Sequence, residues 1–196
     1  QLEYLDGRGL LQEKDHIILA RAYLDQKDAV KALRHLEHLE KEERLPGEEG
    51  IMLANAYELA KRPEAAVRVY RRLSKENSEN PKFLAKLGTQ ALWLNRTDLA
   101  LKFFESALRK DPKNLAALKG SAQVYAWNND PERAIRRFKA YNRLNPNDYE
   151  VRYQLGELYF TNGRKGEAFK EYKKALRLID KMKGLSRQVA LGKDRH

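Results

Sequence analysis

Small and apolar residues along this chain return every 34 positions: Ala32, Ala66, Ala100, Ala134 and Ala168 form one column, and large side chains recur in step around it. Laid over one another, five units span 13–46, 47–80, 81–114, 115–148 and 149–182 without an insertion. Position 8 of the unit holds Ala20, Ala54, Gly88, Ala122 and Gly156, and position 11 holds Tyr23, Tyr57, Ala91, Tyr125 and Tyr159. Position 24 holds Leu36, Tyr70, Phe104, Phe138 and Tyr172. Two helices approach closely only where side chains are small. The columns at positions 8 and 20 therefore read as the crossing point of a helix pair, with the aromatic columns filling the space around it. Each unit is predicted to be a helical hairpin, and a fixed period of this length predicts a stack of them.

The polar punctuation agrees. Asn129-Asp130-Pro131-Glu132 offers Asp130 as a helix N-cap, Pro131 at the first helical position and an acid in the first turn, and Thr97-Asp98 is read the same way one unit earlier. Asn162-Gly163 supplies residues that tolerate positive φ at a turn. Asp111-Pro112, Asn145-Pro146 and the segment before Pro81 end one unit and open the next, because proline cannot continue a helix. No segment carries a strand signal.

These columns resemble the tetratricopeptide repeat (TPR) family. Unit 81–114 carries Leu87-Gly88, Ala100, Phe104, Ala107 and Pro112, and unit 149–182 carries Leu155-Gly156, Tyr159, Ala168, Tyr172 and Ala175. The likeness runs from residue 13 to 182 and departs from the family pattern at Ser121, Ala91, Tyr141 and Asp180. It implies an all-α, superhelical solenoid of five hairpins, with residues 1–12 as the remnant of a preceding repeat helix. Residues 183–196 are then a partial capping helix and a frayed tail.

Composition narrows the function. Beginning at Gln1, the chain reads as a fragment or processed product. It has no cysteine, so disulfide and thiolate chemistry are absent. Its apolar runs fall short of the roughly 18 residues that suggest a membrane span. His35, His38 and Glu42 share a helical spacing, but no further ligand converges on them, and they read as solvated residues on an outer helix. Serines lack a nucleophile elbow, and Gly7-Arg8-Gly9 follows no strand. Asn95-Arg96-Thr97 matches a glycosylation triplet, yet turn geometry already accounts for it. The reading is a non-catalytic protein without cofactor or metal.

What remains is surface. By the family resemblance, the first helix of each unit lines a concave groove. The candidates there are Arg21, Asn55, Lys86, Trp93, Lys119, Gln123, Trp127, Tyr153 and Glu157. Trp93 and Trp127 are the two tryptophans of the chain and occupy one column in adjacent units. They read either as packing between units or as a ligand platform with Lys, Asn and Gln nearby. The carboxylate clamp known from this family is disfavoured, since Lys119, Gln123 and Gln154 are the nearest approach to its residue set.

A second surface is electrostatic. The net charge of +11 is organised into two columns of the second helices. Position 22 gives Arg34, Arg68, Lys102, Arg136 and Lys170, and position 29 includes Lys75, Arg109, Arg143 and Arg177. Seven residues make about two turns, which places both columns on one outward, convex side. The stripes read either as a solubilising face that complements helix dipoles or as a surface for an acidic protein, anionic lipid or polyanion. Nucleic acid is disfavoured because no stacking residues interleave with the stripe.

The stretches 91–100 and 124–134, each with a tryptophan closing a first helix, are similar to units of the periplasmic TPR scaffolds in bacterial exopolysaccharide export, of the Pel and cellulose type. That resemblance implies a periplasmic array in biofilm polymer secretion that recruits a polysaccharide-modifying enzyme or guides the glycan. A cytoplasmic interaction scaffold is the alternative.

Overall fold

The structure, a computed structural model, describes residues 11–41, 45 and 47–193. Its regular elements among these residues are all helices, paired in chain order. α1 (Glu13–Asp25) pairs with α2 (Ala29–Lys41), α3 (Gly47–Leu59) with α4 (Pro63–Glu76), and α5 (Pro81–Trp93) with α6 (Thr97–Lys110). α7 (Leu115–Trp127) pairs with α8 (Pro131–Leu144), and α9 (Tyr149–Thr161) with α10 (Lys165–Lys193). The first helices open at 13, 47, 81, 115 and 149, so the period of the small residues is also the period of the helix boundaries. The remnant helix expected over 1–12 falls on residues of which 1–10 lie outside the described ones, as do 194–196 of the expected frayed tail.

Packing divides the chain into two compact units, Gln1–Glu79 and Asn80–His196. Within each, the crossing columns are closed: Ala20, Ala32, Ala54, Ala66, Ala100, Ala122, Ala134 and Ala168 are buried, and so are the position-24 residues Leu36, Tyr70, Phe104 and Phe138. The tightest contact is in the Asn80–His196 unit. A Cβ built on Gly88 of α5 would stand 2.5 Å from Phe104 Cε1, and one on Gly120 of α7 would stand 2.2 Å from Phe104 Cζ. One α6 ring thus occupies space that two other helices leave by omitting a side chain. Gly156 makes the same allowance for Tyr172, at 2.6 Å.

The turn inside every hairpin is the same. Lys27, Lys61, Asn95, Asn129 and Gly163 all have positive φ, of 60°, 57°, 58°, 56° and 75°. The next amide in each case reaches back to the carbonyl of position 11, as in Arg96 N to Ala91 O and Asp130 N to Tyr125 O, both 2.8 Å. This left-handed cap satisfies carbonyls that the helix end would otherwise orphan. Glycine and asparagine adopt it readily. The two lysines adopt it at a cost of about 1–2 kcal/mol each, which the capping bonds offset.

The N-cap follows the sequence at Asp130, whose carboxylate accepts from Arg133 N, and Asn80, Asn114 and Asp148 cap their helices in the same way. Thr97-Asp98 departs from its expected capping part: Arg96 is the N-cap, it makes no side-chain cap bond, and Thr97 is already helical. α10 runs without interruption through Met182 and Gly184 to Lys193. Asp180 stands where the two preceding units place Pro112 and Pro146. A single interior glycine costs about 1 kcal/mol, too little to stop a helix by itself.

Candidate functional site

In the Asn80–His196 unit the groove candidates lie on α5, α7 and α9, and α5 packs against α7. Trp93 and Trp127 are the last residues of α5 and α7. They stand 75% and 63% exposed, so neither packs between units. The reason is angular. Position 13 follows buried position 11 by two residues, about 200° around the helix, and therefore faces away from the hairpin core.

The remaining groove candidates divide by what already holds them. Lys86 and Gln123 are half-buried. Lys119 Nζ lies 3.6 Å from Asp148 Oδ2, and the same carboxylate oxygen accepts a 2.7 Å hydrogen bond from the Tyr141 hydroxyl. Burial pushes the Asp148 carboxyl upward. The bonds from Tyr141 and the Val151 amide, with the Lys119 charge, outweigh burial and hold it below the ordinary carboxylate range. Tyr141, a departure from the repeat pattern, is therefore a brace joining α8 to the cap of α9. Glu157 accepts from the Tyr172 hydroxyl, and burial together with that carboxylate pushes the phenol up to about 12. In the Gln1–Glu79 unit Arg21 is exposed, whereas Asn55 Oδ1 accepts from the Tyr70 hydroxyl at 2.9 Å. Lys119, Asn55 and Glu157 thus carry internal bonds as well as standing on the candidate face.

Tyr153 and Phe160 are exposed, and with Tyr172, Leu176 and Ile179 they line an apolar pocket of about 710 Å³ between α9 and α10. The repeat explains why it is open. At position 28, Leu108 is 6% exposed because the following hairpin covers it, whereas Leu176 in the same column is 60% exposed. The pocket is the seat that α7 fills on the α5–α6 pair. Sequence reasoning does not single out this pocket, although Tyr153 is among its candidates; the available signal is a leucine in the final copy of the column in which Leu108 is buried.

The basic columns are at the surface in both units. Arg34, Arg68 and Lys75 are exposed in Gln1–Glu79, and so are Lys102, Arg109, Arg136, Arg143, Lys170 and Arg177 in Asn80–His196. His38 is exposed, as the solvated reading expects, whereas His35 departs from it. His35 is 2% exposed, its Nδ1 lies 3.0 Å from His16 Nδ1, and its ring stacks on Tyr23. His35 precedes buried Leu36 on the α2 face turned to α1, which is why it is enclosed; Glu42 lies outside the described residues. Among the described residues, no group of three His, Cys, Asp or Glu side chains is placed to hold a metal ion. Among them, too, no helix is long and apolar enough to cross a membrane.

Comparisons with known proteins agree with this geometry. Three tetratricopeptide repeat models match residues 51–114, 91–148 and 149–181. No curated protein matches the sequence significantly. Among solved structures, one crystal structure of MamA superposes with a TM-score of 0.68 at 18% identity, covering 85% of this chain and 97% of that one. A second, described as MamA protein, gives 0.69 at 18% identity over 86% and 92%. MamA 41-end from Desulfovibrio magneticus RS-1 gives 0.67 at 18% identity over 86% and 96%. At such identities the likeness is one of fold. One register governs helix boundaries, turn geometry and close contacts alike, and repeat models match it from residue 51 to 181, so this chain belongs to the tetratricopeptide repeat family.

Proposed function

We propose that the chain is a non-catalytic scaffold that binds a protein partner through the first-helix face of its Asn80–His196 unit. The observation that carries this reading is the exposure of Trp93 and Trp127 at one register of two packed helices. Exposed aromatics of this size contribute little to the fold and much to an interface, where indoles are the commonest anchors. Half-buried Lys86 and Gln123 on the same helices supply polar contacts around them. The apolar pocket of Tyr153, Phe160 and Leu176 suits an amphipathic helix with a small residue over Tyr172, since α7 offers Gly120 to Phe104 in the equivalent seat.

The wider setting we propose is a periplasmic array in exopolysaccharide secretion, where the scaffold recruits a polymer-modifying enzyme; a cytoplasmic scaffold is the alternative. What supports the export setting is the tryptophan closing successive first helices in 91–100 and 124–134. The same exposed indoles favour a second reading, in which the face guides the glycan itself by ring stacking. The exposed basic columns favour a third, binding of a polyanion.

Affinity capture from an extract of the source cells tests the first reading. A protein retained by the wild-type chain and lost on Trp93→Ala with Trp127→Ala is the expected outcome; capture indifferent to both substitutions overturns it. Titration with neutral and charged oligosaccharides, followed by tryptophan fluorescence, removes the glycan reading if the spectrum does not move. Binding to a polyanion that stays flat between low and moderate salt removes the third.

A further inference from the structure

A depression of about 480 Å³ lies where α8, α9 and α10 meet, on the second-helix side of the Asn80–His196 unit. Arg136, Lys139 and Arg143 line it from α8, Arg152 from α9 and Lys174 from α10. Glu171 is the one acid among its lining residues, and it is already shared, at 3.2 Å by Arg152 and at 2.7 Å by Lys174. Arg136, Lys139 and Arg143 thus face the depression without a carboxylate of their own in it.

Asn142 stands among them in the lining. It is 8% exposed, and neither its Nδ2 nor its Oδ1 has a hydrogen-bond partner among the described residues. A buried side-chain amide with both ends unsatisfied is costly, and packing does not require it, because the same column of the preceding hairpin is filled by Leu108, an apolar side chain 6% exposed. An unpartnered amide inside a ring of cations points to a ligand. A bare oxyanion does not fit, since it would satisfy Nδ2 and repel Oδ1. The ligand has to offer a donor and an acceptor side by side, with negative charge on either flank.

A peptide group between acidic residues has that chemistry. We infer that this depression docks an extended acidic segment of a protein partner. One backbone amide of the segment pairs with both ends of Asn142, and flanking Asp or Glu carboxylates meet Arg136, Lys139 and Arg143. The amide is shielded in the free chain. The segment reaches it by turning aside flexible neighbours such as exposed Lys139, at the cost of some rotamer freedom. The inference rests on the scaffold reading above and gives it a second, chemically defined contact.

Fluorescence anisotropy with a labelled short peptide of alternating Glu and Ala tests it, with the Gln-for-Glu peptide and galacturonate oligomers as competitors. Asn142→Leu leaves the net charge unchanged and removes a buried unsatisfied amide, so the variant stays folded with an unchanged or raised melting temperature. Its affinity is expected to fall about tenfold, the worth of one to two hydrogen bonds. Arg143→Glu is expected to weaken binding more than tenfold, and Lys113→Glu, the same charge change outside the depression, much less. Absence of peptide binding overturns the inference. So does binding indifferent to Asn142→Leu, which is mere attraction of opposite charges. Galacturonate oligomers that bind with the same residue dependence and displace the peptide reassign the site to an acidic glycan and also overturn it. Anisotropy reads this depression and the capture experiment reads the tryptophan face, so either reading can fail alone.

Discussion

Phe104 gives the sharpest test of how this repeat is held together. Gly88 faces its Cδ1–Cε1 edge and Gly120 its Cε2–Cζ end, so Gly120→Ala drives a methyl to 2.2 Å from a ring that cannot retreat. Ordinary carbon contacts lie near 3.5–4.0 Å, so atoms must move by more than about 1 Å. Overpacking a closed core costs roughly 1–3 kcal/mol, and the largest displacements sit at the top of that range. Alanine in a helix interior returns about 1 kcal/mol relative to glycine. The expected net loss is about 2 kcal/mol, read by urea unfolding with helical circular dichroism and tryptophan fluorescence together, since both tryptophans report on this unit. Phe104→Leu alone opens space and is also destabilising. The double variant is expected to lose at least about 1 kcal/mol less than the two single losses added, because the leucine gives the new methyl room. A Gly120→Ala variant as stable as wild type, or strict additivity in the cycle, refutes the reasoning.

Three further outcomes are expected. Trp93→Ala and Trp127→Ala shift unfolding by no more than about 0.5 kcal/mol, as befits exposed side chains, whereas Phe104→Ala costs about 3–5 kcal/mol; a large loss at either tryptophan in the same urea assay contradicts their surface placement. Lys27→Gly and Lys61→Gly stabilise the Gln1–Glu79 unit by up to about 1 kcal/mol, because glycine meets no penalty at the φ of 60° and 57° these residues hold, and a fall in the thermal midpoint counts against this. The Asp148 brace is pH-dependent. Its carboxyl is depressed in the folded chain, so its contribution is whole above the ordinary value of 3.8 and is lost as pH falls through the lower folded value. Tyr141→Phe is expected to flatten that acid limb of the stability curve, and an identical limb in the variant rules the brace out.

The sequence carried the fold because the repeat is written in side-chain size. Alanine and glycine at the crossing columns leave no other way for two helices to bury their aromatic neighbours, and the caps at Asp130 and Asn80 are local chemistry that needs no distant partner. Lys27 and Lys61 show where such reading ends: their left-handed turns are imposed by the register of the hairpin and not by residue preference. His35 shows it again, because enclosure depends on which face of α2 meets α1.

The candidate site was legible as columns and illegible as contacts. Sequence alone determined that Trp93 and Trp127 share a register and that the cations of the second helices form two rows. Only the tertiary structure decided that the indoles are exposed, that Lys119 and Asn55 are tied into braces, and that Asn142 is buried with both ends of its amide unpaired. The physical reason is that periodicity fixes the direction in which a side chain leaves its helix. What that side chain then meets depends on neighbours a hairpin or more away in the chain, and no local pattern encodes them.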